Sequence, residues 1–318
     1  MDKNKKIAAI VLNYNRYEYT ITCVESLFIS IDIPFCIVIV DNASTNNSAA
    51  RLSKWIEGIE IDPTRRQPST SDAGFTTYAR GVADVEIQLH FIISPRNGGY
   101  AAGNNLGINK ALEQGADAVW ILNNDTLVEP NALGCMRDRL FNSPRPGLCG
   151  ALLRYPDGLT QCRGGGYTNK FTLLSTLDGY KLPLEEAHRE RAESVEGRIN
   201  FIYGACVMAS KNFVETVGLM DERFFLYCEE QDWAWRARER FDLSYAPDAI
   251  VTHIEGKSTG HASQSIKIRR LIMIVRSRLL LCIKHRPMAL PIVLWSVCFA
   301  ILRLGYRRMR KSMGRAKV

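Results

Sequence analysis

The chain has 318 residues, of which 46% are hydrophobic and 23% charged, with 12 Tyr, 12 Phe and 5 Trp. That make-up excludes collagen-like, coiled-coil and wholly disordered chains and suffices for one large α/β domain or two small ones. The formal charge is +8, yet residues 261–318 carry 14 Lys and Arg and no acid, which leaves 27 basic against 33 acidic side chains elsewhere. A mildly acidic body with a basic end argues against a whole-surface nucleic-acid binder and for a localised anionic partner, membrane phospholipid first.

From the start of the chain, short β-branched runs alternate with helical patterns: Ile7 to Leu12, a helix near Tyr17 to Ile29, Phe35 to Val40, a helix near Ser48 to Ile56. The alternation resumes with Leu89 to Ile93, a helix from about Ala101 to Leu112, and Ala118 to Leu122. This predicts an α/β fold, a Rossmann-like and mostly parallel sheet with helices on both faces. The opening residues lead straight into the first strand with no signal-peptide pattern, so the body is expected in the cytoplasm. Nine scattered Cys without CxxC spacing signal neither a disulfide scaffold nor a zinc site.

Two stretches read as excursions from the core: Asp62 to Gly81, rich in Pro, Thr, Ser and Arg, and about Tyr155 to Arg198, with Gly164-Gly165-Gly166. The second is either a mobile lid or acceptor loop, or a plain surface insertion. Beyond them, Ile199 to Ala209 is strand-like, Lys211 to Val217 a short helix, and Glu229 to Arg240 a helix with Trp233 and Trp235.

From Ser263 the chain becomes two basic, apolar helical segments separated by Pro287, and Pro287 to Leu302 is 16 residues without a charge. That is short of the roughly 20 residues a spanning helix needs. With Arg303, Arg307, Arg308, Arg310 and Lys311 following, it reads as an in-plane amphipathic anchor, or else as helices packed on the body or on a second subunit.

Polar clusters sit where apolar strands end, which is where open α/β sheets bind ligands. Asn13-Tyr14-Asn15 ends the first strand, Asp41-Asn42-Ala43-Ser44 the second and Asn123-Asn124-Asp125 the fourth. One such Asp is a turn former or helix cap; three together predict a shared crevice. Asn97-Gly98-Gly99 through Asn104 opens a helix after the third strand. Its glycines either let backbone amides approach a phosphate or simply make a tight connection. It is not GxGxxG, so the dinucleotide fingerprint is absent.

Glu229-Glu230-Gln231-Asp232 opens the late helix. These acids either compensate the helix dipole, with Asp232 paired to Arg236, or supply a general base tuned by burial and acidic neighbours. His253 is either a metal ligand or a core histidine.

In order and spacing, from about Ile7 to His253, these elements resemble the family 2 glycosyltransferases of the GT-A type, in particular the rhamnosyltransferase-like members. The resemblance also rests on Gly204-Ala205-Cys206 and on Val217 through Phe225, Val-Gly-Leu-Met-Asp-Glu-Arg-Phe-Phe. It implies a GT-A domain over 1–260, with a nucleotide-binding half (1–125) and an acceptor half (126–260), and a basic helical tail over 261–318. The implied reaction is inverting transfer of a sugar from a nucleotide diphosphate to a glycan or polyprenyl-diphosphate-linked hydroxyl. The first donor is dTDP-rhamnose, with UDP-sugars next.

On the same resemblance, the donor site comprises Asn13, Asn15, Asp41, Asn97, Gly98, Gly99, Asn104, Asn123, Asn124 and Asp125. Asp125 with His253 would hold Mg2+ or Mn2+, and Glu230 would be the base, beside Glu229 and Asp232. Asn123 stands where the family's DxD element has its first Asp, and Glu230 is one methylene longer than the usual Asp. The implied location is the inner face of the cell membrane, peripheral, with a homodimer as a further expectation. A sugar nucleotidyltransferase would carry a Gly-rich basic loop after the first strand, where Asn13-Tyr14-Asn15-Arg16 stands instead. A non-catalytic scaffold with this fold would have no need of Asp125 or the acids at 229–232.

Overall fold

The computed structural model describes residues 4–299 except 33, 69–72, 81–84, 238 and 255–263. The first half runs β1 (Ile7–Asn13), α1 (Tyr17–Phe28), β2 (Cys36–Asp41), α2 (Ser48–Ile59), β3 (Gln67–Pro68), β4 (Ala73–Arg80), β5 (Glu86–Ile93), α3 (Gly99–Glu113) and β6 (Ala118–Asn123). Then follow β7 (Thr126–Val128), α4 (Ala132–Phe141), β8 (Pro146–Arg154), β9 (Thr160–Arg163), β10 (Gly165–Thr168), β11 (Ser175–Leu177), α5 (Leu184–Arg189) and α6 (Ala192–Glu196). The last part contains β12 (Phe201–Ile202), β13 (Cys206–Ser210), α7 (Lys211–Val217), α8 (Glu229–Ala237), β14 (Asp242–His253) and α9 (Gln264–His285). All nine cysteines are free.

One large sheet has the order β3-β4-β5-β2-β1-β6-β13-β8-β14-β7, with β9 added on β8. Its centre is parallel: Ile10 pairs with Val38 on one side and Ile121 on the other. Strands covered on both faces need apolar residues at every position, which is why β1, β2 and β6 read as continuous apolar runs. Alternate side chains still divide between two cores. Ala8 and Ile10 join Ala101 and Ile108 of α3, while Ile7, Ala9 and Val11 join Val24 and Leu27 of α1 and Leu52 and Ile56 of α2. The contact of α3 with β1 is close, since a Cβ on Gly103 would come within 2.5 Å of Leu12 Cδ1.

Both supposed excursions prove to be part of the architecture. Residues 73–80 extend the sheet as an antiparallel strand along β5, from Ala73 opposite Ile93 to Arg80 opposite Glu86. Of its inward positions Phe75 packs on Phe91, but Thr77 and Ala79, both fully buried, are polar or small, so the strand lacked the apolar alternation that identifies one. The stretch 155–198 supplies β9 to the main sheet and β10 and β11 to a second sheet completed by β12. It is organised around a buried charge, Arg163, whose Nε lies 2.7 Å from Asp178 and whose Nη1 lies 2.6 Å from Glu190.

The helical segment after residue 263 also joins the body. Leu281 and Cys282 of α9 are fully buried in the same core as Trp233 and Trp235 of α8. The helix then turns at Pro287, and residues 290–299 are helical again. Among the described residues no helix is long and apolar enough to cross a membrane; Arg303, Arg307, Arg308, Arg310 and Lys311 lie outside them. Leu281→Ala should lower the unfolding free energy by roughly 2–5 kcal/mol, as for any large side chain removed from a packed core. Urea denaturation reads it, and a change within about 0.5 kcal/mol, the range of surface substitutions, would mean α9 is not packed on the body.

Candidate active site

The carboxyl ends of β1, β2 and β6 are adjacent in the sheet, and their polar side chains meet. Asn13 Nδ2 donates to Asp41 Oδ2 at 2.7 Å, and Thr20 Oγ1 donates to Asn13 Oδ1 at 2.8 Å. Ser44 closes the group, its amide donating to Asp41 Oδ1 at 2.9 Å and its hydroxyl to Oδ2 at 2.7 Å. Asp41 is only 1% exposed, so it is the hub of this network. Asn15, at φ 59°, accepts from the Thr45 amide at 2.8 Å and fixes the turn after β2. Asn124 Nδ2 donates to Thr20 Oγ1 at 3.1 Å, bringing the end of β6 into the same network.

The glycine-rich turn has a packing reason. Gly99 adopts φ +87°, and a Cβ there would sit 2.1 Å from the Phe225 carbonyl oxygen. Its amide is held by Asn97 Oδ1 at 2.9 Å and its carbonyl by Asn42 Nδ2 at 2.9 Å, while the Gly98 amide donates to Asn42 Oδ1 at 3.3 Å. The turn thus seats the 225 loop on the start of α3. Asn104 is fully buried within α3, donating to the Tyr100 carbonyl at 3.0 Å, and does not line the crevice.

Between these turns and the 225 loop lies a crevice of about 430 Å³. Tyr14, Asn97, Gly99, Asn123, Asn124 and Asp125 line it, as do Tyr100, Phe225, Leu226 and Met273 of α9. Buried against the lining residue Asp125, His253 Nε2 stands 3.1 Å from Asp125 Oδ1, and His253 Nδ1 stands 2.8 Å from Gln161 Oε1. An amide oxygen accepting at Nδ1 directs Nε2 toward Asp125, the arrangement by which an outer partner orients a metal-binding imidazole. Among the described residues no three His, Cys, Asp or Glu side chains form a metal cage. Asp125 and Nε2 are nevertheless an oxygen and a nitrogen donor suited to a divalent cation whose other ligands come from a substrate.

The acids of α8 divide. Tyr227 and Cys228, at φ 72° and 70°, turn the chain so that α8 begins with Glu229 and Glu230 directed inward. Both Oε2 atoms are buried without a hydrogen-bond partner. Burial pushes the Glu230 carboxyl up to about 7, against the opposing pull of a hydrogen bond from the Gly204 amide. Burial, and then the charge of Glu230, push Glu229 well above the usual carboxylate range. The Tyr100 hydroxyl donates to the Gly204 carbonyl at 2.5 Å, so a crevice residue and the residue holding Glu230 are directly joined.

Asp232 belongs elsewhere. Its carboxylate receives Arg236 Nε at 2.9 Å, Lys284 Nζ at 2.7 Å and His285 Nε2 at 2.7 Å, so it faces α9 and not the crevice. The pairing with Arg236 is the helix-surface alternative that the sequence had left open. Sequence reasoning missed Gln161 and Met273, which lie in no motif, and gave no role to Tyr100, although it sits inside the glycine-rich turn.

No family model matches the chain. It is 27% identical over 244 residues to an N-acetylglucosaminyl-diphospho-decaprenol L-rhamnosyltransferase of Mycobacterium tuberculosis, covering 69% of this chain and 76% of that one. It is 26% identical over 221 residues to the dTDP-rhamnosyl transferase RfbF of Shigella flexneri, covering 66% and 69%. Among solved structures, the mannosyltransferase PcManGT from Pyrobaculum calidifontis, in complex with GDP-Man and Mn2+, superposes with a TM-score of 0.55 at 15% identity, over 100% of this chain and 82% of that one.

The raised Glu230 carboxyl has a consequence for stability. With its folded value near 7 and its unfolded value near 4.5, the folded chain binds more protons between those limits, so this group's contribution falls as pH rises through them. Glu230→Gln removes that cost, so at pH 8 the variant should unfold at higher denaturant than the wild type, the gap narrowing toward pH 5. Parallel urea titrations at the two pH values check it, and a gap that widened on acidification would contradict the burial argument.

Proposed function

We propose that the chain is a rhamnosyltransferase-like member of the family 2 glycosyltransferases, with the GT-A fold, and that it transfers a hexose with inversion from a nucleotide-diphosphate donor bound in the 430 Å³ crevice. The donor proposed first is dTDP-rhamnose, followed by UDP-sugars. The acceptor is a hydroxyl of a glycan, borne on a polyprenyl diphosphate, in the synthesis of cell-surface polysaccharide.

The observation that carries this reading is the joining of two chemistries through Tyr100 and Gly204. Asp125 lines the crevice with His253 against it, and Glu230, with its carboxyl poised near 7, lies on the other side of that link. Glu230 takes the proton of the acceptor hydroxyl as its oxygen bonds to the anomeric carbon on the face opposite the departing diphosphate. A hydroxyl is a poor nucleophile until that proton is moved, so roughly 10²- to 10⁴-fold in rate depends on this group. A value near 7 places the base near the operating pH, with activity rising through neutrality as Glu230 ionises. Asp125 and His253 Nε2 are the residues that would hold Mg2+ or Mn2+, which supplies a Lewis acid for the negative charge gathering on the leaving diphosphate. Asn13, Asn15 and Asp41 fix the strand-end turns around the nucleoside, and Tyr14 and Asn97 line its crevice. Burial, and then the charge of Glu230, push Glu229 well above the usual carboxylate range, which disfavours a second negative charge beside the base.

Peripheral attachment to the inner face of the membrane is part of the same proposal. Ile272, Ile283, Met288 and Trp295 are exposed on and beyond α9, among the basic residues of 261–318, and each basic residue near an anionic surface adds about 1 kcal/mol. Met288→Glu with Trp295→Glu should abolish co-sedimentation with phosphatidylglycerol vesicles while leaving donor hydrolysis in solution intact. Unchanged sedimentation would remove this face from the proposal.

The direct test is turnover of a panel of nucleotide sugars, dTDP-rhamnose included, with and without Mn2+ or Mg2+. Asp125→Ala should lose the metal dependence. Glu230→Gln should retain nucleotide binding while losing turnover by at least about 10²-fold. Wild-type protein that bound none of the panel would overturn the reading.

A further inference from the structure

Residues 221–232 form a continuous segment that carries two parts of the site, the crevice wall at Phe225 and Leu226 and the carboxyl of Glu230 at the start of α8. Between them stand Tyr227 and Cys228, consecutive non-glycine residues at φ 72° and 70°. Such a backbone conformation is strained for a residue with a side chain and persists only where its surroundings over-determine it. The surroundings here are one face of α9. Arg270 lies over the Tyr227 ring at 5.7 Å, and Met273 reaches the crevice. Ser277 Oγ donates to the Leu226 carbonyl at 2.8 Å. Lys284 Nζ bridges Asp221 and Asp232 at 2.7 Å each, and His285 Nε2 meets Asp232 at 2.7 Å. Positions 270, 273, 277, 281 and 284 recur at helical spacing, so a single face of α9 spans the segment from end to end.

The strained turn is therefore gripped on both sides. Ser277 holds the carbonyl immediately before it, and Lys284 and His285 hold the carboxylate one turn into α8. Asp232 is fully buried, so removing a partner leaves a buried charge short of its compensation, which relaxation of the segment would relieve.

We infer that Ser277, Lys284 and His285 are positioning residues, through which α9 splints residues 221–232 in the arrangement that sets Glu230 against the donor crevice. The inference rests on the reading of Glu230 as the base. It assigns α9 a part in the reaction beyond any attachment to a surface: the helix acts on the carboxylate through Asp232 and on the crevice wall through Leu226, touching no reacting atom.

The test uses the full chain, as wild type, His285→Ala, His285→Gln and Ser277→Ala, with two readouts. The first is hydrogen exchange of the amides at 224–233. His285→Ala should exchange there at least about tenfold faster, with β1 and β6 unchanged, since opening confined to one segment leaves the rest of the core protected. His285→Gln, which keeps a donor toward Asp232, should restore most of the protection, and Ser277→Ala should give a smaller change of the same kind. The second is turnover of dTDP-rhamnose with Mn2+. His285→Ala should lower kcat on the order of 10²-fold, the effect of about 1 Å of misplacement, with donor KM within about twofold and recovery in His285→Gln.

Unaltered exchange at 224–233 in His285→Ala would overturn the inference, as would a loss of turnover expressed wholly in KM. A loss that His285→Gln did not restore would do the same. Wild-type turnover surviving in Glu230→Gln would instead overturn the reading of the base, while the exchange experiment would still decide whether α9 splints the segment.

Discussion

The whole arrangement depends on two carboxyl groups buried side by side at the first turn of α8. A helix start is a favourable place for negative charge, because unpaired amides point toward it. Burial works in the opposite sense, and both carboxyls have an oxygen with no hydrogen-bond partner. The outcome is asymmetric, with Glu229 driven far toward its neutral form and Glu230 left within reach of ionisation. A fold that allowed this pair to relax toward solvent would gain stability and lose the raised carboxyl of Glu230. Much of the surrounding structure can be understood as preventing that relaxation: the Gly204 amide, the Tyr100 hydroxyl above it, and the strained pair Tyr227 and Cys228.

The same constraint explains why the first half of the sheet and the last helices form one body. One side of the crevice is a set of strand ends, rigid because β1, β2 and β6 are hydrogen-bonded neighbours. The acidic side hangs on a loop and a nine-residue helix, which have no such ladder. Gly99, whose Cβ position is taken by the Phe225 carbonyl, is a point where the two sides touch. The residue is small because another stretch of main chain passes through the space a side chain would fill.

What was legible in the sequence follows from what each element needs. The central strands are covered on both faces and had to be apolar throughout, so β1, β2, β5 and β6 announced themselves, and with them the polar residues at their ends. The strand at 73–80 did not, because two of its three inward residues, Thr77 and Ala79, are polar or small. Its neighbours Arg65 and Arg66 instead stack on Tyr78 and Phe75, at 4.0 and 4.1 Å. The stretch 155–198 was opaque for a related reason: a core arranged around Arg163 and two acids has a loop's composition. Within the site, the strand-end residues and the acids at 229 and 230 were legible as motifs. Asp232 was grouped with those acids by adjacency alone, although it stands two steps from Glu230, which points it to a different face of the helix from that residue. Gln161 and Met273 come from segments whose relation to the crevice is set only by tertiary packing.

The position of β13 has a consequence for how the molecule is made. This strand lies between β6 and β8 in the sheet, yet it is synthesised after both. Until residues 206–210 arrive, β6 and β8 each keep an open edge in the middle of what becomes the core, and open edges pair readily with other chains. Closing the sheet requires ordering the intervening loop first, which makes such insertions slow relative to local contacts. The nascent chain therefore passes through a period in which its first strands exist and its central seam does not. In that interval, before any question of catalysis arises, the protein has most need of protection from aggregation.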